Sequence, residues 1–217
     1  MKVLYVLTQT DSIGGASVHL LDLAHGVQAQ GHEVVVLAGG NGIFHERARR
    51  LGLTSLPLRH LIREIHPLHD LLGLWELRQA IKVHCPDLVH LHSTKAGVLG
   101  RLAAWSLRVP AVFTVHGWAF TDGVSARRAA LYQRIERFMS PFSRRIITVS
   151  EYDRQLALKA GVAPAALMTT VHNGMPLLVE PPSRPHNDTP RLIMVARFDE
   201  QKNQTDLLRA LGTLNDI

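Results

Sequence analysis

Val3-Leu4-Tyr5-Val6-Leu7, then Thr10-Asp11-Ser12-Ile13-Gly14-Gly15-Ala16, then an amphipathic stretch over 16–30 that halts at Gly31: this opening decides the fold. The first run is short, apolar and partly β-branched, as expected of a strand buried on both faces. The second is a turn of small residues. The third places Leu20, Leu21, Ala24 and Val27 on one helical face and stops at a glycine. Further apolar runs predict strands over 33–38, 53–56, 88–91, 111–115, 145–149 and 168–171, separated by longer amphipathic stretches. Ser150, with Asp153 three residues on, reads as a capping box that opens a helix. Continuous apolar strands alternating with helices predict a parallel sheet covered on both faces, a doubly wound α/β domain.

The composition agrees. The chain has 217 residues, 46% hydrophobic and 19% charged, with 24 Lys+Arg against 18 Asp+Glu and a net charge of +6. That is too apolar for disorder and too sparsely charged for a nucleic-acid wrapper. The single cysteine, Cys85, excludes an intramolecular disulfide and fits a reducing compartment. The apolar start is too short for a signal peptide, and no run approaches the roughly 20 residues that span a bilayer. A cytoplasmic chain is expected.

Composition changes after the seventh strand. Residues 176–190 hold Pro176, Pro181, Pro182, Pro185 and Pro190 and no periodicity, which reads as a linker. A new strand is expected over 191–196 and a helix over 205–214. The predicted organisation is a first domain over 1–175, a linker over 176–190, and over 191–217 the first β–α unit of a second domain. One strand and one helix cannot bury their own apolar faces, so a two-domain protein cut short is expected.

Ligands of open α/β sheets bind beyond the carboxyl ends of the strands. There the Gly14-Gly15 loop fits either a tight turn or a phosphate held on free helix N–H groups. It is not G-x-G-x-x-G, and Ala38-Gly39-Gly40 offers no acid for a ribose hydroxyl, which disfavours dinucleotide chemistry. His90 and His92 share a strand face. They suit packing or cleft lining, since no third metal ligand sits at useful spacing, and no metal is expected. Lys95 is either a solvated lysine or an anion contact. His116-Gly117-Trp118 ends the fifth strand and points a histidine at the cleft, where it bonds a sugar hydroxyl or serves the fold. Arg197 and Lys202, five residues apart in a loop, suit a diphosphate or simply solvent.

Taken together, Ile13-Gly14-Gly15-Ala16, Asp87-Leu88-Val89-His90-Leu91-His92, Thr114-Val115-His116-Gly117-Trp118, Ile146-Ile147-Thr148-Val149-Ser150, Val171-His172-Asn173-Gly174-Met175 and Val195-Ala196-Arg197-Phe198-Asp199-Glu200-Gln201-Lys202-Asn203 resemble the family 4 retaining glycosyltransferases of the GT-B fold. Those of bacterial capsular, exopolysaccharide and O-antigen synthesis look most similar. The resemblance implies a Rossmann-like acceptor-side domain followed by a nucleotide-sugar-binding domain. It implies that Gly14 and Gly15 lie against the donor phosphates and that His116 is the catalytic-site contact to the transferred sugar. Arg197 and Lys202 would neutralise the diphosphate leaving group, with no metal cofactor, and His92, Lys95 and Trp118 would line the acceptor cleft. The family's paired glutamates, spaced E-x7-E, would fall past Ile217, so the chain alone is expected to be inactive.

From Arg127 to Arg145 the chain carries six arginines (127, 128, 134, 137, 144, 145) and one acid, Glu136. On a helix, Leu131, Ile135, Phe138 and Met139 form a stripe flanked by Arg127, Arg134 and Arg137. The readings are a core-facing helix with a solvated basic edge, or docking to anionic lipid at the inner membrane face. The expected partners are a nucleotide-sugar donor, a lipid-linked or polysaccharide acceptor and a membrane surface, with no nucleic acid. A transferase with a soluble small-molecule acceptor is the nearest alternative. A non-catalytic assembly domain that self-associates through 191–217 is the other.

Overall fold

The computed structural model describes residues 1–8, 10–121, 123–175, 191–196, 198 and 202–214. Two compact units are distinguished, Met1–Gly174 and Met175–Ile217.

The first unit is a seven-stranded sheet in the order β3-β2-β1-β4-β5-β6-β7, with every neighbouring pair parallel. The strands are β1 (Lys2–Leu7), β2 (Glu33–Gly39), β3 (Thr54–Leu58), β4 (Leu88–His92), β5 (Ala111–Val115), β6 (Arg145–Thr148) and β7 (Met168–Thr170). The helices are α1 (Gly15–Ala29), α2 (Ile43–Arg50), α3 (Pro67–His84), α4 (Thr94–Ser106), α5 (Ala126–Met139) and α6 (Glu151–Lys159). This is the doubly wound, Rossmann-like sheet that the strand pattern implies. β3 runs beyond the expected 53–56 and through Pro57. It does so because it is an edge strand, where a missing N–H costs no ladder bond.

The two-residue alternation of a strand sorts the core into two layers. Leu4, Val6, Val35, Leu37, Val89 and Leu91 pack on one face with Leu77 and Ile81 of α3 and Ala96, Ala103 and Ala104 of α4. Val3, Tyr5, Leu7, Val34, Val36 and Ala38 pack on the other with Leu20, Leu21 and Ala24 of α1 and Phe44 and Ala48 of α2. The strand order reverses between β1 and β4, where the crossovers leave by opposite faces, and above the carboxyl ends at such a switch point open α/β sheets place their ligand crevice. Ser150 accepts from the Asp153 backbone N–H and caps α6, as the spacing predicts.

Two expectations need correction. α5 does not turn Leu131 and Phe138 inward: they are 55% and 70% exposed, while Glu136 and Met139 are buried and Ala129 and Tyr132 pack on the core. The burial of a carboxylate rotates the helix relative to its apolar stripe, because Glu136 follows its ion partner Arg101 inward. In the second unit, α7 (Gln204–Gly212) forms as expected, but residues 191–196 are not a strand. Ile193 and Val195 are 87% and 89% exposed. A strand exists only by hydrogen bonding to a neighbour, and none pairs with this run among the described residues.

Candidate functional site

α1 begins directly after the β1 turn, with Gly14 as its N-cap in an extended conformation. No side chain caps this end, and no acidic residue lies in its first turn. The helix therefore presents its partial positive charge and backbone N–H groups unneutralised. A Cβ placed on Gly14 or Gly15 would meet nothing within 4 Å. Packing within the described residues thus does not explain these glycines.

β4 ends on His92, paired in register with Leu7 of β1 and Thr114 of β5. The next residue, Ser93, holds φ +80°, a backbone conformation that costs a non-glycine residue strain and clusters at functional sites. Its hydroxyl lies 2.6 Å from that of Thr8, which also accepts from the Ala96 N–H. One strand over, His116 follows β5 immediately, and Gly117 takes φ +137°, open to glycine alone. That kink turns the chain across the carboxyl edge of the sheet.

Four histidines converge there. His92 Nδ1 lies 3.0 Å from His116 Nε2 and their rings stack at 5.3 Å. His19 of α1 approaches both, with ring centroids 5.1 Å from His116 and 5.9 Å from His92. His90 lies beneath, its Nε2 2.7 Å from the Thr114 hydroxyl, and Tyr5 closes the floor at 5.2 Å. Burial is the main force lowering the pKa of His116 to about 4, with the His19 charge adding to it. Burial likewise takes His90 to about 3 and His92 well below its ordinary value, and the surrounding imidazoles add to both shifts. His19 is lowered by burial against the opposing pull of Asp22. At neutral pH the cluster is uncharged. It offers hydrogen-bond donors, acceptors and nitrogen lone pairs, not a cation.

The other expected cleft residues are placed differently. His92 is fully buried and reaches the crevice only through His116. Lys95 is engaged: its ammonium pairs with Asp70 at 2.5 Å and donates to the Glu64 carbonyl. Trp118 does not line the crevice. It is 3% exposed, stacked on Phe120, with Nε1 donating to the Asp153 carbonyl, because so large an apolar ring finds its partners in the core. Lys202 is exposed in the second unit, and Arg197 lies outside the described residues. Arg127 and Arg134 are exposed on α5, whereas the Arg137 guanidinium is committed to the Ala160 and Gly161 carbonyls at the end of α6.

Sequence reasoning missed His19. Its signal was present: it flanks the apolar stripe of α1 one turn from the open helix end. A groove lined by Trp105, Arg108, Pro110, Phe142 and Arg144 lies at the opposite, amino end of β5 and β6. It carries none of this chemistry.

The chain matches the model of Glycosyltransferase Family 4 over residues 13–177. It is 32% identical over 118 residues to the UDP-Gal:alpha-D-GlcNAc-diphosphoundecaprenol alpha-1,3-galactosyltransferase of Escherichia coli, a match covering 54% of this chain and 30% of that protein. It is 33% identical over 81 residues to glycosyltransferase EpsD of Bacillus subtilis, covering 36% of this chain and 21% of that one. The chain thus matches less than a third of the length of these relatives. In fold it resembles Anabaena HepE, solved in complex with UDP, with a TM-score of 0.66 at 22% identity over 81% of this chain and 44% of that one.

Proposed function

Because the chain belongs to glycosyltransferase family 4, we propose that it is the acceptor-side part of a retaining hexosyltransferase that moves a sugar from a uridine diphosphate donor to a lipid-linked or polysaccharide acceptor in surface polysaccharide synthesis. The observation that carries this reading is the pairing of an uncapped, glycine-opened helix N-terminus with a neutral histidine, His116, at the same carboxyl edge. The first is built for a phosphate, the second for a sugar hydroxyl.

The chemistry follows from charge. The donor's C1–O bond to phosphate breaks, the acceptor oxygen bonds C1 from the same face, and the acceptor proton leaves with the diphosphate. The developing negative charge is the barrier to be lowered. The α1 dipole at Gly14 and Gly15, with Arg197 and Lys202, supplies the compensation in this reading, and no metal is required. His116, being uncharged, orients the sugar and does not neutralise phosphate. The names of the Escherichia coli relative and of the HepE complex support a uridine diphosphate donor and a diphosphate-linked lipid acceptor.

No helix among the described residues is long and apolar enough to cross a membrane. Docking to the inner membrane face is favoured by exposed Leu131 and Phe138 beside Arg127 and Arg134 on α5. The test is transfer by the protein that carries this chain, from labelled UDP-hexoses to a polyprenyl diphosphate saccharide, with the product anomer read by NMR. The α-configuration of the donor should be kept, and His116→Ala should lower kcat/KM at least 100-fold. An inverted product, label passing only to soluble acceptors, or transfer indifferent to His116→Ala would overturn the reading.

A further inference from the structure

His19, His92 and His116 come from three separate elements, yet one ring nitrogen of each lies within 4.8 Å of the other two. Among the described residues this is the only group of three potential ligands that converges so closely. We propose that these three imidazoles form a binding site for a borderline divalent transition metal of the zinc class, and that metal held there withdraws His116 from the sugar. The proposal goes beyond the transferase reading, which uses His116 and needs no metal.

Two observations support it. The donor set is all nitrogen, the set that selects zinc, nickel or copper and rejects magnesium and calcium. Burial is also graded: His92 is fully enclosed, while His19 and His116 are only half-buried, so a fourth coordination position faces the crevice for water or a phosphate oxygen. Three histidines and one open position form a recognised zinc arrangement.

The fit is close. Metal–nitrogen bonds of about 2.0–2.1 Å place tetrahedral ligand nitrogens roughly 3.4 Å apart. His92 Nδ1 and His116 Nε2 already stand 3.0 Å apart. His19, half-exposed on the second turn of α1, has the rotamer freedom to complete the set. Among the described residues His92 Nε2 is buried without a hydrogen-bond partner, so there its ring is held by stacking and not by a second hydrogen bond. A metal on Nδ1 would fix it.

The test is calorimetric titration of this chain with zinc chloride in chelator-free buffer, with cobalt(II) visible absorption as the geometric probe. One site of micromolar affinity or better is expected, with the intense visible bands of tetrahedral cobalt. His19→Ala should weaken binding at least 30-fold and remove those bands at an unchanged apo melting temperature. His116→Ala serves if that variant fails to fold. His66→Ala, at a separate histidine group near α3, should change nothing, and millimolar magnesium should not compete. Absence of binding, wild-type affinity in His19→Ala, or loss of binding in His66→Ala would each overturn the site. Zinc that binds at this site yet leaves transfer uninhibited would overturn the stated consequence while leaving the transferase reading intact.

Discussion

Arg101 of α4 and Glu136 of α5 form a buried ion pair, Nη2 to Oε2 at 2.7 Å, with side chains 0% and 2% exposed. Arg101 Nε also donates to the Gly97 carbonyl, and the guanidinium carbon lies 4.6 Å from the centroid of the Phe113 ring. The one acid within the arginine-rich segment is therefore not a surface counter-charge. It is the bolt between two helices and the reason α5 exposes Phe138. Removing either partner strands a charge in the core at a cost of about 3–5 kcal/mol. Glu136→Gln and Arg101→Met should each lower the urea midpoint strongly. The double variant Arg101→Met/Glu136→Leu should be less destabilised than either. A double variant as unstable as the sum of the singles would contradict this account.

Glycines on two sides of the sheet should respond oppositely. A Cβ on Gly97 would stand 2.7–3.1 Å from three atoms of the Phe113 ring, which is pinned beneath Arg101. Gly97→Ala should lose on the order of 1–3 kcal/mol to overpacking, against about 1 kcal/mol returned by helix propensity. Gly15→Ala meets open space and should keep or slightly raise the melting temperature while weakening donor use at least tenfold. Thermal melts beside kcat/KM check both.

His45 supplies a pH dependence away from the site. It is 3% exposed, with Nδ1 2.7 Å from the Ser55 hydroxyl and Nε2 2.9 Å from the Gly40 carbonyl. Burial, opposed by the Gly40 carbonyl and aided by Arg49, lowers its pKa below the ordinary 6.5. The unfolded chain therefore binds the proton more readily, so this contribution to stability is complete above about pH 6.5 and is lost as pH falls toward the folded value. His45→Gln should flatten the stability–pH curve below 6.5 by up to one proton. Denaturant titrations at pH 7.5 and 5.5 read this directly, and an unchanged slope would refute it.

On α5, membrane docking predicts salt-sensitive co-sedimentation with anionic vesicles. Each arginine near the surface contributes on the order of 1 kcal/mol, so Arg127→Gln/Arg134→Gln should weaken binding about 30-fold. Phe138→Ala should weaken it further, whereas Arg137→Gln should act mainly on stability, because its guanidinium is held by the end of α6. Vesicle binding indifferent to the paired substitution would rule this surface out.

The sequence by itself determined the seven strands, the parallel winding, the open end of α1 and the placing of His116 at a strand terminus. Each follows from local periodicity and from residues adjacent in the chain, which single-sequence patterns carry. Only the tertiary structure decided which side chains meet. His19 joins His92 and His116 across 97 positions of sequence because α1 starts where β1 ends, at the same carboxyl ends of the sheet where β4 and β5 finish. Lys95 is taken from the crevice by Asp70, Trp118 sinks into the core, and Glu136 turns inward toward an arginine 35 residues away. A buried charge or a large ring goes where its partner is, and no spacing along the chain records where that partner will fold.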